Sequence, residues 1–305
     1  MSNKQSPRAM AEDALDRLSD DLRTGRIEML TGYLSAMARL DSHSWNNVLL
    51  IHAQRPTATR VETYHAWRDL GRFVNKGEKG IAIEAPSESR HSSDSRRAGP
   101  NGRPHPDKFP ETQRRSAYVF DVEQTHGKPL SRLPTTPGDP QTLAAKLKAI
   151  AIEHGVAWLY DDAARQHAVV SSRHEIRLPS NPSTEAELLI IAHQLAHQLL
   201  HQRLAPSELH YVMVEAEAEA TAFVVMRRLG LPSPAAGDFV ALYEEGSAAL
   251  ADSLAVIHDA SRQISNELLS RERTALMDSD RAPSETRETR FSARPDPSDS
   301  GSLER

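Results

Sequence analysis

A chain of 305 residues with 38% hydrophobic content can bury one or two modest cores, and 19 prolines beside an aromatic fraction of 5% imply that part of it stays loose. It has no cysteine, which excludes disulfides, iron–sulfur clusters, thiolate zinc sites and cysteine nucleophiles, so any metal must be held by histidines and carboxylates. The net charge of −5 is unevenly spread: residues 1–140 carry 21 Lys/Arg against 18 Asp/Glu, residues 141–305 carry 16 against 24, and a nucleic-acid partner therefore belongs to the first half.

In chain order, residues 1–9 are expected to be disordered, and apolar positions at Leu15, Leu18, Leu22, Ile27, Leu30, Tyr33, Leu34 and Met37 predict two helices over about 10–40. Ser44 caps a helix that Arg55-Pro56 stops, and "VETYHAWRDLGRFV" reads as a further short helix ending at Gly71. "GIAIEAP" and "SAYVFDVEQT" read as two paired strands on either side of a disordered Ser/Arg/Pro/Gly-rich insert over 87–115. The first domain is thus expected over 10–134, followed by a proline-rich linker at 135–142.

The second domain, 143–269, starts with the helix "LAAKLKAIAIEHG" and continues with short strands near Val169 and at 174–178. Helices follow over Thr184 to Gln202, Tyr211 to Leu229 and Phe239 to Leu269, with a disordered tail from 270 to 305. The fold class is α+β: an α+β first domain, then a mainly helical one with a small sheet. No apolar stretch is long enough to span a bilayer and no N-terminal run has the form of a signal peptide, so the expected location is cytoplasmic, with no membrane partner.

Chemistry concentrates in "IIAHQLAHQLLHQ". His193 and His197 stand four residues apart on one face of a helix, about 6 Å along its axis, where two imidazoles can reach one ion. His201 lies about 12 Å from His193 and is too far to share it. The next helix, "VEAEAEATAFVVMRRLG", is acidic and made of small residues, as a close antiparallel contact requires. Glu215 and Glu219 share a face, whereas Glu217 lies with Met213, Ala220, Thr221 and Val224, so Glu217 is the expected third ligand. The competing reading is a plain core in which the histidines bind no metal.

"HQLAHQLLH" followed by "EAEATAFVV" resembles the zincin metallopeptidases of the ImmA/IrrE-like branch, over roughly Leu143 to Leu269. The resemblance implies Zn2+ on His193, His197 and Glu217, and a strand beside the substrate groove at "HEIRLP". One element departs. Gln194 stands where such a peptidase has the glutamate that takes a proton from the water at the metal, and an amide cannot accept that proton. The metal site is expected to survive and hydrolysis to be lost. A natural pseudoenzyme and a deliberate Glu-to-Gln change are both open; the intact surroundings favour a parent enzyme inactivated at this position. His210, with Tyr211, lies in a loop suited to stabilising an oxyanion.

Over roughly Met10 to Pro134, "SWNNVLLIHAQRPTATRVETYHAWRDLGRFVNKGEKGIAIEAP" and "YVFDVEQTHGKPL" resemble the single-stranded-DNA-binding domain of ArdC-type antirestriction proteins. Between residues 42 and 115 there are 13 Lys/Arg against 8 Asp/Glu, interleaved with aromatic residues. Basic groups tracking phosphates and rings stacking on bases suit sequence-tolerant single-strand binding. The candidate contacts are Trp45, Asn47, Arg55, Arg60, Tyr64, Trp67, Arg72, Lys76 and Lys79, with core packing as the competing role of Trp45 and Trp67.

Two functions follow as expectations. One is a nucleoid-associated zinc metallopeptidase, inactivated in this chain, that binds single-stranded DNA and acts on a protein substrate such as a repressor, a defence protein or a DNA-crosslinked protein. The other is a non-catalytic single-strand-binding antirestriction protein that uses the zincin fold as scaffold.

Overall fold

A computed structural model describes residues 5–85, 115–130, 139–160, 169–172, 175–178, 180–201, 211–233 and 247–281. Most of the expected insert at 87–115, most of the tail from 270, and His210 lie outside the described residues.

Helices α1 (Pro7–Arg23), α2 (Ile27–Arg39) and α3 (Trp45–Gln54) open the chain. Ser6 and Ser44 cap α1 and α3 by accepting the backbone N–H three residues on, which satisfies donors that a helix start otherwise leaves unpaired. The segment expected as one helix from Val61 divides into β1 (Val61–Thr63), the short α4 (Tyr64–Asp69) and β2 (Arg72–Val74). The Thr63 hydroxyl caps α4 at the Ala66 N–H, and Gly71 at φ +73° turns the chain out of it. Strand pairing on both sides of so short an apolar stretch outweighs its helical spacing.

Strands β3 (Ile81–Ala85) and β4 (Arg115–Asp121) pair antiparallel, Ile81 opposite Val119 and Ile83 opposite Ala117, so the long insert between them is an excursion from one hairpin. With β1 they form the sheet β1-β4-β3. A 3-10 turn at Val122–Gln124 leads to β5 (Thr125–Gly127), which pairs with β2.

Helix α5 (Pro140–Glu153) begins inside the expected linker, capped by Asp139. Strand β6 (Ala157–Tyr160), absent from the sequence reading, joins β7 (Val169–Ser172) and β8 (Glu175–Leu178) in the order β6-β8-β7. The strand expected to flank a substrate groove, β8, is therefore central and has neighbours on both edges. Its backbone groups are committed to the sheet and cannot pair with an incoming strand.

Helices α6 (Thr184–His201), α7 (Tyr211–Arg228) and α8 (Ser247–Arg281) complete the described structure, and the backbone of α8 runs helical beyond the expected end at 269. Helix α7 lies among α2, α6 and α8. Ala216, Ala220, Phe223 and Val224 join a core made by α1–α3, the first sheet and α8, while Ala222, Val225, Met226 and Leu229 join a second core with α5 and α6. Four fully buried alanines, at 216, 218, 220 and 222, let the neighbouring helices approach closely. The two halves of the chain thus share a core. Polar ties add to it: Arg228 pairs with Asp41, and the buried His258 places Nε2 2.9 Å from the His43 carbonyl.

Candidate functional site

The helical pitch of α6 sets His193 and His197 one turn apart, with their Nε2 atoms separated by 2.9 Å. The carboxylate between them comes from Glu215: its Oε2 lies 3.3 Å from His193 Nε2 and its Oε1 3.4 Å from His197 Nε2. The same three residues form the one group among the described residues whose donor atoms could converge on a metal, all within 4.8 Å of one another. Donors bound at about 2.0–2.1 Å around a tetrahedral ion stand about 3.3 Å apart; here each imidazole meets a different oxygen of the Glu215 carboxylate, and the 2.9 Å between the two Nε2 atoms would have to open by a few tenths of an ångström. Hydrogen bonds to the His193 and then the His197 imidazole hold the Glu215 carboxyl well below the usual carboxylate range.

Glu217, the expected third ligand, is elsewhere. Its Oε1 accepts a 2.6 Å hydrogen bond from Ser253 Oγ of α8. The reason lies in the position of α7: a helix packed on several sides has no single inward face, so an acid facing α6 and an acid facing α8 are both directed into the protein. Seven residues separate Glu215 from Ala222, which belongs to the α5–α6 core, and seven separate Glu217 from Val224, which belongs to the α1–α3 core. That arithmetic in reverse finds the acid that meets the histidine pair, given knowledge of which helix packs on which side.

The cluster is partly open, with the His193 and Glu215 side chains 26% and 31% exposed. Gln194 is 1% exposed and Gln198, one turn on, is 5% exposed, so two neutral amides occupy the buried flank of the histidine pair. The side chain of His201 is among those not described.

The second candidate region lies on the first sheet and its hairpins. Here most of the expected DNA contacts serve the fold. Trp67 is fully buried and donates from Nε1 to the Phe120 carbonyl at 2.8 Å, so it offers no face to a base. Trp45 is half-buried against the first core. Asn47 bonds both backbone groups of Glu84, docking α3 on the edge of β3. Arg55 pairs with the buried Asp121 at 3.3 Å and with Glu123 at 3.0 Å, and Arg60 lies 3.6 Å from Glu62. The guanidinium of Arg72 donates to Thr125 Oγ1 and to the carbonyls of Thr125 and Lys128, with Trp67 beneath it. Cations in those positions organise the domain before they can meet a phosphate.

Tyr64, Lys76 and Lys79 are the expected contacts that stand exposed. The loop carrying both lysines, residues 75–80, is fixed by Gln124, whose Nε2 donates to Glu78 Oε2 and to the Lys79 carbonyl and whose own carbonyl accepts the Asn75 N–H. Gly77 adopts φ +91°, a conformation that favours glycine, and Gly80 lies so close to Tyr118 that an added Cβ would meet the tyrosine Cβ at 2.9 Å. Two exposed rings flank this loop: Phe73 at 50% exposure, beside His126 at 6.0 Å, and Tyr118 at 46%. Tyr64 is 47% exposed. Phe73 and Tyr118 were not among the sequence candidates, yet strand alternation marks them. In β4, Val119 and Asp121 point inward, so Tyr118 and Phe120 take the other face.

No curated protein matches the chain significantly. Among solved structures, the Mn(II)-bound crystal structure of the antirestriction ArdC protein from the R388 plasmid is similar over 77% of this chain and 97% of its own, at 17% identity and a TM-score of 0.47. Its metal-free form is similar over 74% and 85%, at 18% identity and a TM-score of 0.45. No helix among the described residues is long and apolar enough to cross a membrane. Residues 12–120, the part of the chain that carries the Lys76/Lys79 loop and the exposed rings, match the family of the N-terminal domain of anti-restriction factor ArdC.

Proposed function

We propose that this chain is an antirestriction-type protein that binds single-stranded DNA on the face formed by Phe73, Tyr118 and Tyr64 with Lys76 and Lys79. The observation that carries the reading is the fixed loop 75–80, which presents two exposed lysines between two exposed rings. Rings of this kind stack on bases irrespective of sequence, and lysines beside them neutralise phosphates. Fluorescence anisotropy with labelled oligo(dT) tests it. Phe73→Ala and Tyr118→Ala are each expected to weaken binding about 5- to 100-fold, and Lys76→Ala with Lys79→Ala to flatten the slope of log K against log salt by about 1.4. Unchanged affinity in all of these variants places the DNA elsewhere.

The second half is proposed to hold a divalent ion, zinc by its ligand chemistry, on His193, His197 and Glu215, in a zincin-like site whose peptidase activity is blocked by Gln194. The support is the convergence of one donor atom from each of these three residues within 4.8 Å of one another, with chemistry that suits a divalent ion. A bound ion of this kind acts as a Lewis acid toward a carbonyl oxygen. The chain's own residues hold and orient it; none at position 194 can take up a proton at neutral pH. The protein substrate of a glutamate-bearing form would be a DNA-associated polypeptide, brought close by the first half. A non-catalytic protection protein remains the second reading, favoured by the amide at 194.

A further inference from the structure

Phe73 and His126 stand opposite each other on the β2–β5 ladder, both exposed, with ring centroids 6.0 Å apart. The imidazole is held in place, its Nδ1 lying 2.7 Å from Oδ1 of Asn75. An amide oxygen only accepts, so Nδ1 carries the hydrogen and Nε2 is turned to a ligand. Two positions from Phe73 the ladder carries a cation. The Lys128 N–H donates to the Gly71 carbonyl at 3.0 Å, and the Lys128 carbonyl accepts from the Arg72 guanidinium at 2.7 Å. The Lys128 stem lies against Gly71, where an added Cβ would meet its Cδ at 2.8 Å. Gly127, at φ +130°, is so close that a Cβ there would meet the Gly71 carbonyl oxygen at 2.5 Å. Two glycines and the Arg72 fork thus fix where Lys128 emerges. Its ammonium pairs with no acid among the described residues. Glu78, the one acid in residues 71–80 and 125–128, is bonded to Gln124.

We infer that His126 and Lys128 are contact residues for single-stranded DNA: His126 completes with Phe73 a two-ring platform for one base, and Lys128 meets the phosphate beside it. This rests on the proposed DNA face and extends it from loop 75–80 along the hairpin to the end of α4. The two rows of the ladder are about 7 Å apart, within reach of the base and backbone of a single nucleotide. A cross-strand ring pair by itself stabilises a hairpin, but it gives no reason for a fixed cation without a counter-charge next to it. A phosphate supplies that counter-charge, and an unpaired base supplies the surface for the rings. Asn75 and Arg72 are positioning residues, acting through His126 and Lys128.

The experiment uses the full chain with labelled oligo(dT), and with an oligo(dT) carrying a single iododeoxyuridine for photocrosslinking. His126→Ala is expected to weaken binding about fivefold or more, and His126→Phe, which keeps a ring and drops both nitrogens, to stay within about threefold of the parent chain. Lys128→Ala is expected to flatten the slope of log K against log salt by about 0.7 while leaving the urea midpoint unchanged. The photoadduct is expected on Phe73 or His126. If Phe73→Ala and Tyr118→Ala weaken binding but His126→Ala does not, or the salt slope of Lys128→Ala is unchanged, the inference is overturned and the proposed DNA face stands. Unchanged affinity in all four variants removes both. A loss in His126→Ala that His126→Phe does not restore, with a lowered urea midpoint, or adducts confined to residues outside the hairpin, also overturns the inference.

Discussion

Replacing Glu215 and Glu217 separately by alanine distinguishes the two acids by what each touches. Glu215 reaches both imidazoles at 3.3 and 3.4 Å, whereas Glu217 reaches Ser253 Oγ at 2.6 Å and is held away from the pair. Structural zinc sites bind with roughly 10–16 kcal/mol over four ligands, about 2.5–4 kcal/mol for each, so loss of Glu215 is expected to lower zinc affinity about 10²- to 10³-fold. Loss of Glu217 removes a neighbour's hydrogen bond, which is expected to cost about 1 kcal/mol of stability and to change zinc affinity less than about tenfold. Competition against a chromophoric chelator gives both affinities, and a urea titration of the metal-free proteins gives the stability term. Because Glu215→Ala leaves Ser253 and the first core untouched, a misfolded protein is not the expected cause of its metal loss. Equal loss of affinity in both variants, or a larger loss in Glu217→Ala, would refute the assignment.

Two further outcomes concern the fold that presents the proposed DNA face. Asp121 is fully buried and accepts from the Thr59 and Arg60 backbone as well as from Arg55, so Asp121→Ala leaves those two N–H groups without their acceptor and Arg55 with Glu123 alone, and is expected to cost about 2–4 kcal/mol. Calorimetry showing a loss below about 1 kcal/mol contradicts that role. Burial pushes the His43 and His52 imidazoles below their ordinary value. The unfolded chain therefore takes up protons near pH 6.5 while the folded chain resists them, so stability is full above about pH 6.5 and falls as the pH drops below it. The depressed Glu215 carboxyl acts in a lower window, its contribution present above the ordinary glutamate value and lost as the medium becomes strongly acidic. Urea midpoints between pH 8 and 5 test the histidine window; an unchanged slope in a His43→Gln, His52→Gln protein removes it.

Much of this was legible in the residues because it depends on neighbours along the chain. Ser44 before Trp45, and His193 four residues from His197, express helix starts and helical pitch, which are local. The pairing of the two strands around the long insert was legible from their alternation and from the family resemblance of "VFDVEQT". Which acid meets the histidine pair was not local. It required knowing that α7 packs on several neighbours, which makes Glu215 and Glu217 equally inward and gives only one of them to the histidines. The proposed DNA face shows the same division. Composition marked a basic and aromatic region, but Trp67, Arg55 and Arg72 are drawn into the fold by Phe120, Asp121 and Thr125, residues some fifty or more positions away. The sequence by itself determined which chemistry the chain can offer: a histidine pair, an amide beside it, and a lysine-bearing loop. The tertiary structure alone decided which acid joins that pair and which rings remain exposed, because burial and hydrogen-bond satisfaction are settled between elements that meet only after folding.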